Sequence, residues 1–241
     1  MNTDCTTFEL EASPPEVAIL GIGSCEQHSA HLPLCTDCFF AGRIAAEVAR
    51  ELKAFELPAL PYSTSLEHRG FAGTVSLSPE TLKGLVWDIA AAVASWGVHY
   101  LVLLNAHGGN FILNPAARQW NMDGRNPRLL LVDFFAGLQN IAPNLHAGEV
   151  ETSLMLHLAP EKVRLELRED FVPSLGREDL THLGMKRMSP RGVWGYPSRA
   201  SAEKGEHWFR EAVGYSVSRV RTLVAAFEHG PEKPTGNSRR G

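Results

Sequence analysis

Tyr100-Leu101-Val102-Leu103-Leu104-Asn105-Ala106-His107-Gly108-Gly109-Asn110 joins an unbroken apolar run to a polar, glycine-rich turn, the pattern of a buried strand that stops abruptly. The same form recurs at residues 17–22, which close on Gly21 and Gly23, and at 128–134. Residues 55–62, punctuated by Pro58 and Pro61, predict another strand, and 74–77 a short extended piece. Helical periods fall between these runs. Phe40, Ile44, Val48 and Leu52 recur every fourth residue, and Ser78-Pro79-Glu80 supplies a capping serine, a first-turn proline and an acid ahead of Leu82, Leu85, Val86, Ile89 and Val93. Further helices are predicted over 111–122, 149–158 and 202–227, while 165–189 has weak periodicity and reads as loop with short elements. Strands alternating with helices predict an α/β fold with a mainly parallel sheet covered on both faces. Ligand sites in such sheets lie outside the carboxyl ends of the strands, so the loops after residues 17–22 and 100–104 are expected to meet.

At 241 residues the chain is long enough for one large core, and a single domain over 1–229 is expected, followed by a Gly-, Pro- and charge-rich tail over 230–241 that should be disordered. A net charge of −4 gives no electrostatic reason for a nucleic-acid or anionic-membrane partner. No apolar run approaches the ~18 residues that span a bilayer. Residues 1–11, with Asp4, Glu9 and Glu11, lack the order of a signal peptide, so a cytoplasmic location is expected. Cys5, Cys25, Cys35 and Cys38 are too few for a disulfide framework in a chain of this size. The lone pair Cys35 and Cys38 reads as structural thiols rather than a zinc knuckle or redox pair, although their oxidation would disturb a metal held at Asp37.

Residues 24–37 place Glu26, His28, His31 and Asp37 directly after the first strand. Glu26 and His28 are two apart, so in an extended segment both face one side and one cation. Asp37, at the mouth of the next helix, has two oxygens with which to bridge two cations about 3.5–4 Å apart, the spacing of hydrolytic two-metal sites. Any one of these residues alone is ordinarily a surface acid or a satisfied histidine; their density is the signal. His31, beside Leu32 and Pro33, reads as structural or as orienting a ligand. His107 is either a turn residue or a ligand, with Gly108 and Gly109 leaving room beside it and Asn105 and Asn110 suited to bracing the loop. The cluster His146-Ala147-Gly148-Glu149-Val150-Glu151 is either a helix cap of favourable charge or a site in which one acid binds metal and His146 carries a proton to a departing nitrogen.

Four motifs in order and spacing make the chain resemble the creatininase (creatinine amidohydrolase) family: Glu26-Gln27-His28 with His31-Leu32-Pro33-Leu34 and Thr36-Asp37; Glu67-His68 with Phe71-Ala72-Gly73-Thr74; Asn105-Ala106-His107-Gly108-Gly109-Asn110; and His146-Ala147-Gly148-Glu149 with Glu151-Thr152-Ser153. The resemblance covers about residues 15–210. It implies a three-layer α/β/α sandwich, two divalent ions (zinc, manganese or iron) and hydrolysis of a C–N bond in an amide or cyclic amide. It further implies one metal on Glu26, Asp37 and His107, the other on His28 and Asp37, and proton transfer by His146. A hexamer is the assembly it implies.

One departure matters. True creatininases carry His-Tyr-Glu-Asn where this chain has His107-Gly108-Gly109-Asn110, so a metal-binding glutamate and a substrate-facing tyrosine are missing and creatinine is not expected as substrate. Glu151 is the first choice to replace that carboxylate and Glu149 the second; failing both, the second metal would be weak or lost. The Gly-Gly version, Glu67-His68 and the run through Gly192-Val193-Trp194-Gly195 resemble the branch that trims the mycofactocin precursor. The expected activity is metal-dependent amide hydrolysis of a small molecule, with Glu67 and His68 shaping the substrate side. Two alternatives are a peptidase acting on a short precursor peptide and a non-catalytic metal-binding assembly protein.

Overall fold

The computed structural model describes residues 1–139, 141 and 143–230; the tail predicted to be disordered lies, beyond Gly230, outside the described residues. In chain order the helices are α1 (Thr7–Ala12), α2 (Thr36–Leu52), α3 (Pro79–Ala94), α4 (Leu113–Met122), α5 (Glu149–Leu158), α6 (Leu180–Leu183), α7 (Met185–Met188) and α8 (Ala202–His229). The strands β1 (Val17–Ile22), β2 (Phe55–Leu60), β3 (Tyr100–Asn105) and β4 (Arg128–Asp133) form one parallel sheet in the order β2-β1-β3-β4.

Side chains alternate across the central strands, which explains the two helical layers. Ile19, Val102, Leu104, Leu130 and Val132 pack with residues of α2, α5 and α8 such as Phe40, Ile44, Leu154 and Ala212. Ala18, Leu20, Leu101, Leu103 and Leu129 face the other way, onto Leu82 and Val86 of α3 and Leu113 and Trp120 of α4. The fold is therefore the α/β sandwich read from the strand–helix alternation. None of the described helices is long and apolar enough to cross a membrane.

The strand order places the site. From β1 the chain crosses to β2 on one side, then returns to β3 on the other side of β1. The connections after β1 and β3 thus leave the sheet in opposite directions and open a crevice at the carboxyl ends, where Ile22 pairs with Asn105. Behind the crevice α8 backs α5 closely, because a Cβ on Gly205 would stand 1.9 Å from the Ser153 carbonyl oxygen.

Two local readings change and one is refined. Residues 74–77 are the short extended piece expected, but Val75 and Ser76 make isolated bridges to Cys25 and Ser63, so this segment pairs with loops rather than with the sheet. Helix α1 was not predicted; it buries no residue, so it has no apolar period, and it is closed by a Thr6–Glu9 capping box. Helix α2 starts at Thr36, which puts Asp37 inside its first turn.

Candidate metal centre

Glu26, His28, Asp37, His107, His146 and Glu151 come from the loop after β1, the first turn of α2, the loop after β3 and the start of α5. All six are buried, and they meet in the crevice. His28 Nε2 is 3.2 Å from Asp37 Oδ1 and 3.8 Å from Glu151 Oε2. His107 Nδ1 is 3.3 Å from Asp37 Oδ2, and its Nε2 is 3.1 Å from Glu26 Oε2. The two oxygens of Asp37 therefore face two different imidazoles. His146 Nδ1 lies 3.7 Å from Glu26 Oε1.

Backbone carbonyls fix which ring nitrogens face the cluster. His28 Nδ1 donates to Glu26 O at 3.2 Å, which turns Nε2 toward Asp37. His107 Nε2 donates to Thr64 O at 2.9 Å, which turns Nδ1 toward Asp37. His146 Nε2 donates to Gln27 O at 2.7 Å, leaving Nδ1 bare toward Glu26. A carbonyl holding the far nitrogen is how proteins orient a metal-binding imidazole.

Among the described residues, Glu26 Oε1 and Oε2, His28 Nε2 and Asp37 Oδ2 are buried without a hydrogen-bond partner. Unpaired buried polar atoms are costly, and here they converge. The sets Glu26–Asp37–His107 and His28–Asp37–Glu151 each offer ligand atoms within 4.8 Å of one another, as does Glu26–His28–His146. No Lys or Arg among the described residues pairs with these carboxylates. Carboxylate oxygen with imidazole nitrogen is the donor set of a borderline divalent cation, so the residues fit such an ion.

The electrostatics of the bare protein express the same demand. Burial pushes the Glu26 carboxyl up and lifts Glu151 to about 7. Burial works against charge on His28 and His107 too, but Asp37 and Glu151 outweigh it at His28, raising it to about 9, and Glu26 and Asp37 hold His107 well above its ordinary value. Burial also disfavours the Asp37 carboxylate, yet His28 and His107 keep it well below the usual range. Burial and neighbouring imidazoles keep His68 and His146 neutral.

Glu67 and His68 complete the rim. Glu67 Oε1 is 3.3 Å from His107 Nε2, and His68 Nε2 is 3.4 Å from Glu26 Oε1. Gly109 makes room for that carboxylate: a Cβ there would stand 2.0 Å from Glu67 Oε1 and 2.4 Å from His107 Nε2. Asn110 braces the loop rather than facing the cavity, since its amide donates to Asn105 Oδ1 at 3.0 Å and its oxygen accepts from Thr64. His31 sits behind the centre, 3.0 Å from Thr152 Oγ1, with burial and His28 lowering its pKa to about 4. A cavity of about 750 Å³ opens over the centre, lined by Glu67, His107, Gly108, His146 and Glu151 together with apolar residues such as Phe111 and Leu180.

Glu149 is the exception among the expected residues. Its carboxylate meets Lys204 Nζ of α8 at 2.7 Å, away from the cavity. Two positions along a helix turn a side chain by roughly 200°, so Glu151 and Glu149 cannot both face the crevice. Sequence reasoning missed three contributors. Gln27 donates to His68 Nδ1 at 2.9 Å and to Gly192 O at 3.3 Å, and its only signal was its place between Glu26 and His28. Thr64 acts through a main-chain oxygen, which leaves no mark in a sequence. Arg177 reaches the cavity from the weakly patterned segment.

Comparison with known proteins agrees with this geometry. The family described as Creatininase: creatinine amidohydrolase matches residues 3–220. The mycofactocin precursor peptide peptidase of Mycobacterium ulcerans (strain Agy99) is 34% identical over 233 residues, covering 89% of this chain and 88% of that protein. The creatinine amidohydrolase of Pseudomonas putida is 31% identical over 215 residues, covering 79% and 83%. A solved structure called "Creatininase Mn" superposes with a TM-score of 0.78 at 26% identity, covering 95% of this chain and 98% of that one.

Proposed function

The chain belongs to the creatininase family of hydrolases, and from that premise we propose that it is a metal-dependent amidohydrolase cleaving a C–N bond next to the Asp37 cluster. The observation that carries this reading is the convergence of unpartnered buried ligand atoms on Glu26, His28 and Asp37. Glu26, Asp37 and His107 would hold one cation, and His28, Asp37 and Glu151 the other, with Asp37 shared through its two oxygens. Glu151 thereby supplies the carboxylate that the Gly108-Gly109 sequence lacks. Zinc, manganese or iron suits this oxygen and nitrogen set. Such a pair, when bound, supplies water that ionises near neutral pH and polarises a carbonyl oxygen.

The chain's own residues do the rest. His146 keeps one proton on the Gln27 carbonyl and presents a neutral Nδ1 to the cavity, so it can take up a proton there and pass it to the leaving nitrogen. Glu67 holds His107 and borders the substrate. Gln27 and Thr64 keep the rings in register.

The peptide reading gains weight over a small cyclic amide from the 34% identical peptidase and from a cavity of about 750 Å³, ample for the end of a short peptide. Creatinine itself is set aside because the tyrosine and glutamate of true creatininases are absent at Gly108 and Gly109. Self-association into a homo-oligomer, and action in the cytoplasm, are further parts of the proposal. Asp37→Ala should abolish turnover of amide and peptide substrates and bring bound metal from two ions per chain to below one, with the circular dichroism of a folded protein. Retained activity at normal metal content refutes the scheme.

A further inference from the structure

Arg177 stands on the cavity wall above the floor formed by His107, Gly108 and Gly109. A Cβ on Gly108 would lie 3.7 Å from its Nη2, so the guanidinium overhangs the residue next to His107. Among the described residues Arg177 has no carboxylate within 4.0 Å; Asp133, on the same cavity lining, feels its charge from farther off, and two acids follow it directly. Asp179 turns back to accept from the Gly176 N–H at 3.1 Å, and the Glu178 carboxylate folds against Gly176. Arg69 and His182 line the same cavity, and both are exposed. The cavity thus sets buried carboxylates and imidazoles at its floor against two arginines, a histidine and the single acid Asp133 higher on its lining. Leu66, Phe111 and Leu180 provide apolar surface between them.

We propose that Arg177, on the cavity lining that also carries Arg69 and His182, anchors a carboxylate of the substrate and so selects acidic or carboxylate-terminated molecules. Arg177 is exposed like its two neighbours on the lining, so its reach for a ligand rests on geometry: a planar guanidinium binds carboxylate through two parallel N–H donors. Because Arg177 overhangs the neighbour of His107, a carboxylate held there lies on the same side of the cavity as the proposed centre. The fitting substrate class is a peptide or acyl amino acid whose carboxylate, terminal or on an Asp or Glu side chain, sits close to the scissile amide.

This inference rests on the proposed function for the word substrate, but its test reads binding alone. Calorimetric titration of the manganese-loaded protein would compare N-acetyl-glycyl-leucine with its C-terminal amide, and N-acetyl-glutamyl-leucinamide with its glutaminyl counterpart. At least one carboxylate probe should bind about tenfold more tightly than its neutral partner, and Arg177→Met should erase that preference without changing metal content. The first pair reports a terminal carboxylate and the second a side-chain one. A preference that survives Arg177→Met, or none in either pair, overturns the proposal. Arg177-dependent binding by a protein that leaves every C–N bond intact would sink the hydrolytic reading and leave this one standing.

Discussion

Removing the cations with a chelator should leave a protein whose stability falls as pH rises. In the bare centre Asp37, 3.2 Å from His28 Nε2, holds that imidazole at about 9 against an ordinary 6.5. A gap of that size is worth about 3 kcal/mol at ~1.36 kcal/mol per pH unit. The sign follows from the direction of the shift. A raised imidazole contributes in full below pH 6.5 and loses its contribution as pH climbs through about 9. The depressed Asp37 carboxyl expresses the same attraction from the other side and is not added to it. Glu151 acts in the same sense, since its carboxyl, lifted to about 7 by burial, resists ionisation that an unfolded chain would allow from about pH 4.5. For a chain of this length, about 3 kcal/mol corresponds to a melting shift of roughly 6–12 °C. Thermal melts of chelated protein would show it from about pH 7.5 to 9.5, above the range in which His31, His68 and His146, whose pKa values are lowered, oppose it, and reloaded protein should not lose stability, because cations and protons compete for the same atoms. Calorimetric reloading at pH 7.5 in two buffers of different ionisation enthalpy should count about two protons released, one each from His28 and His107. A metal-free melt flat in pH, or reloading without proton release, would refute this picture of the centre.

Three further outcomes follow. Gly109→Ala should lower kcat about 10²-fold with little change in melting temperature, because its methyl would occupy the space of Glu67 Oε1 and His107 Nε2. Glu149→Gln should leave kcat within about twofold and cost no more than ~1 kcal/mol through the lost Lys204 pair, whereas Glu151→Gln should weaken binding of one metal equivalent in a chelator competition. Gly205→Ala should destabilise the chain by about 1–3 kcal/mol in denaturant titration, since a Cβ there meets the Ser153 carbonyl and pushes α8 off α5.

The sheet was legible because β1, β3 and β4 are almost wholly apolar, and helices betray themselves by spacing and by caps such as Ser78. That acids and imidazoles gather in one crevice was legible because Glu26, His28 and His107 closely follow strand ends, while Asp37 and Glu151 lie in the first turns of helices. What escaped has physical reasons. Helix α1 rests on a capping box alone and lies on the surface. The choice between Glu149 and Glu151 needs the rotational phase of α5, which turns on where the helix begins. The tautomers of His28, His107 and His146 depend on carbonyl oxygens of Glu26, Thr64 and Gln27, and every residue carries a carbonyl. Arg177 lies in a stretch built of single short turns, where periodicity has no room to develop.

That last stretch has an evolutionary consequence. The floor of buried acids and imidazoles hangs from strand ends and long helices, but much of the cavity's ceiling, from Arg177 through Leu183, is made of short turns with no fully buried residue, anchored where Met185 begins a small separate core. Substitutions overhead can alter which molecule is admitted while the reactive foundation stands unchanged. Descendants of one ancestor can thus acquire new diets without relearning the chemistry.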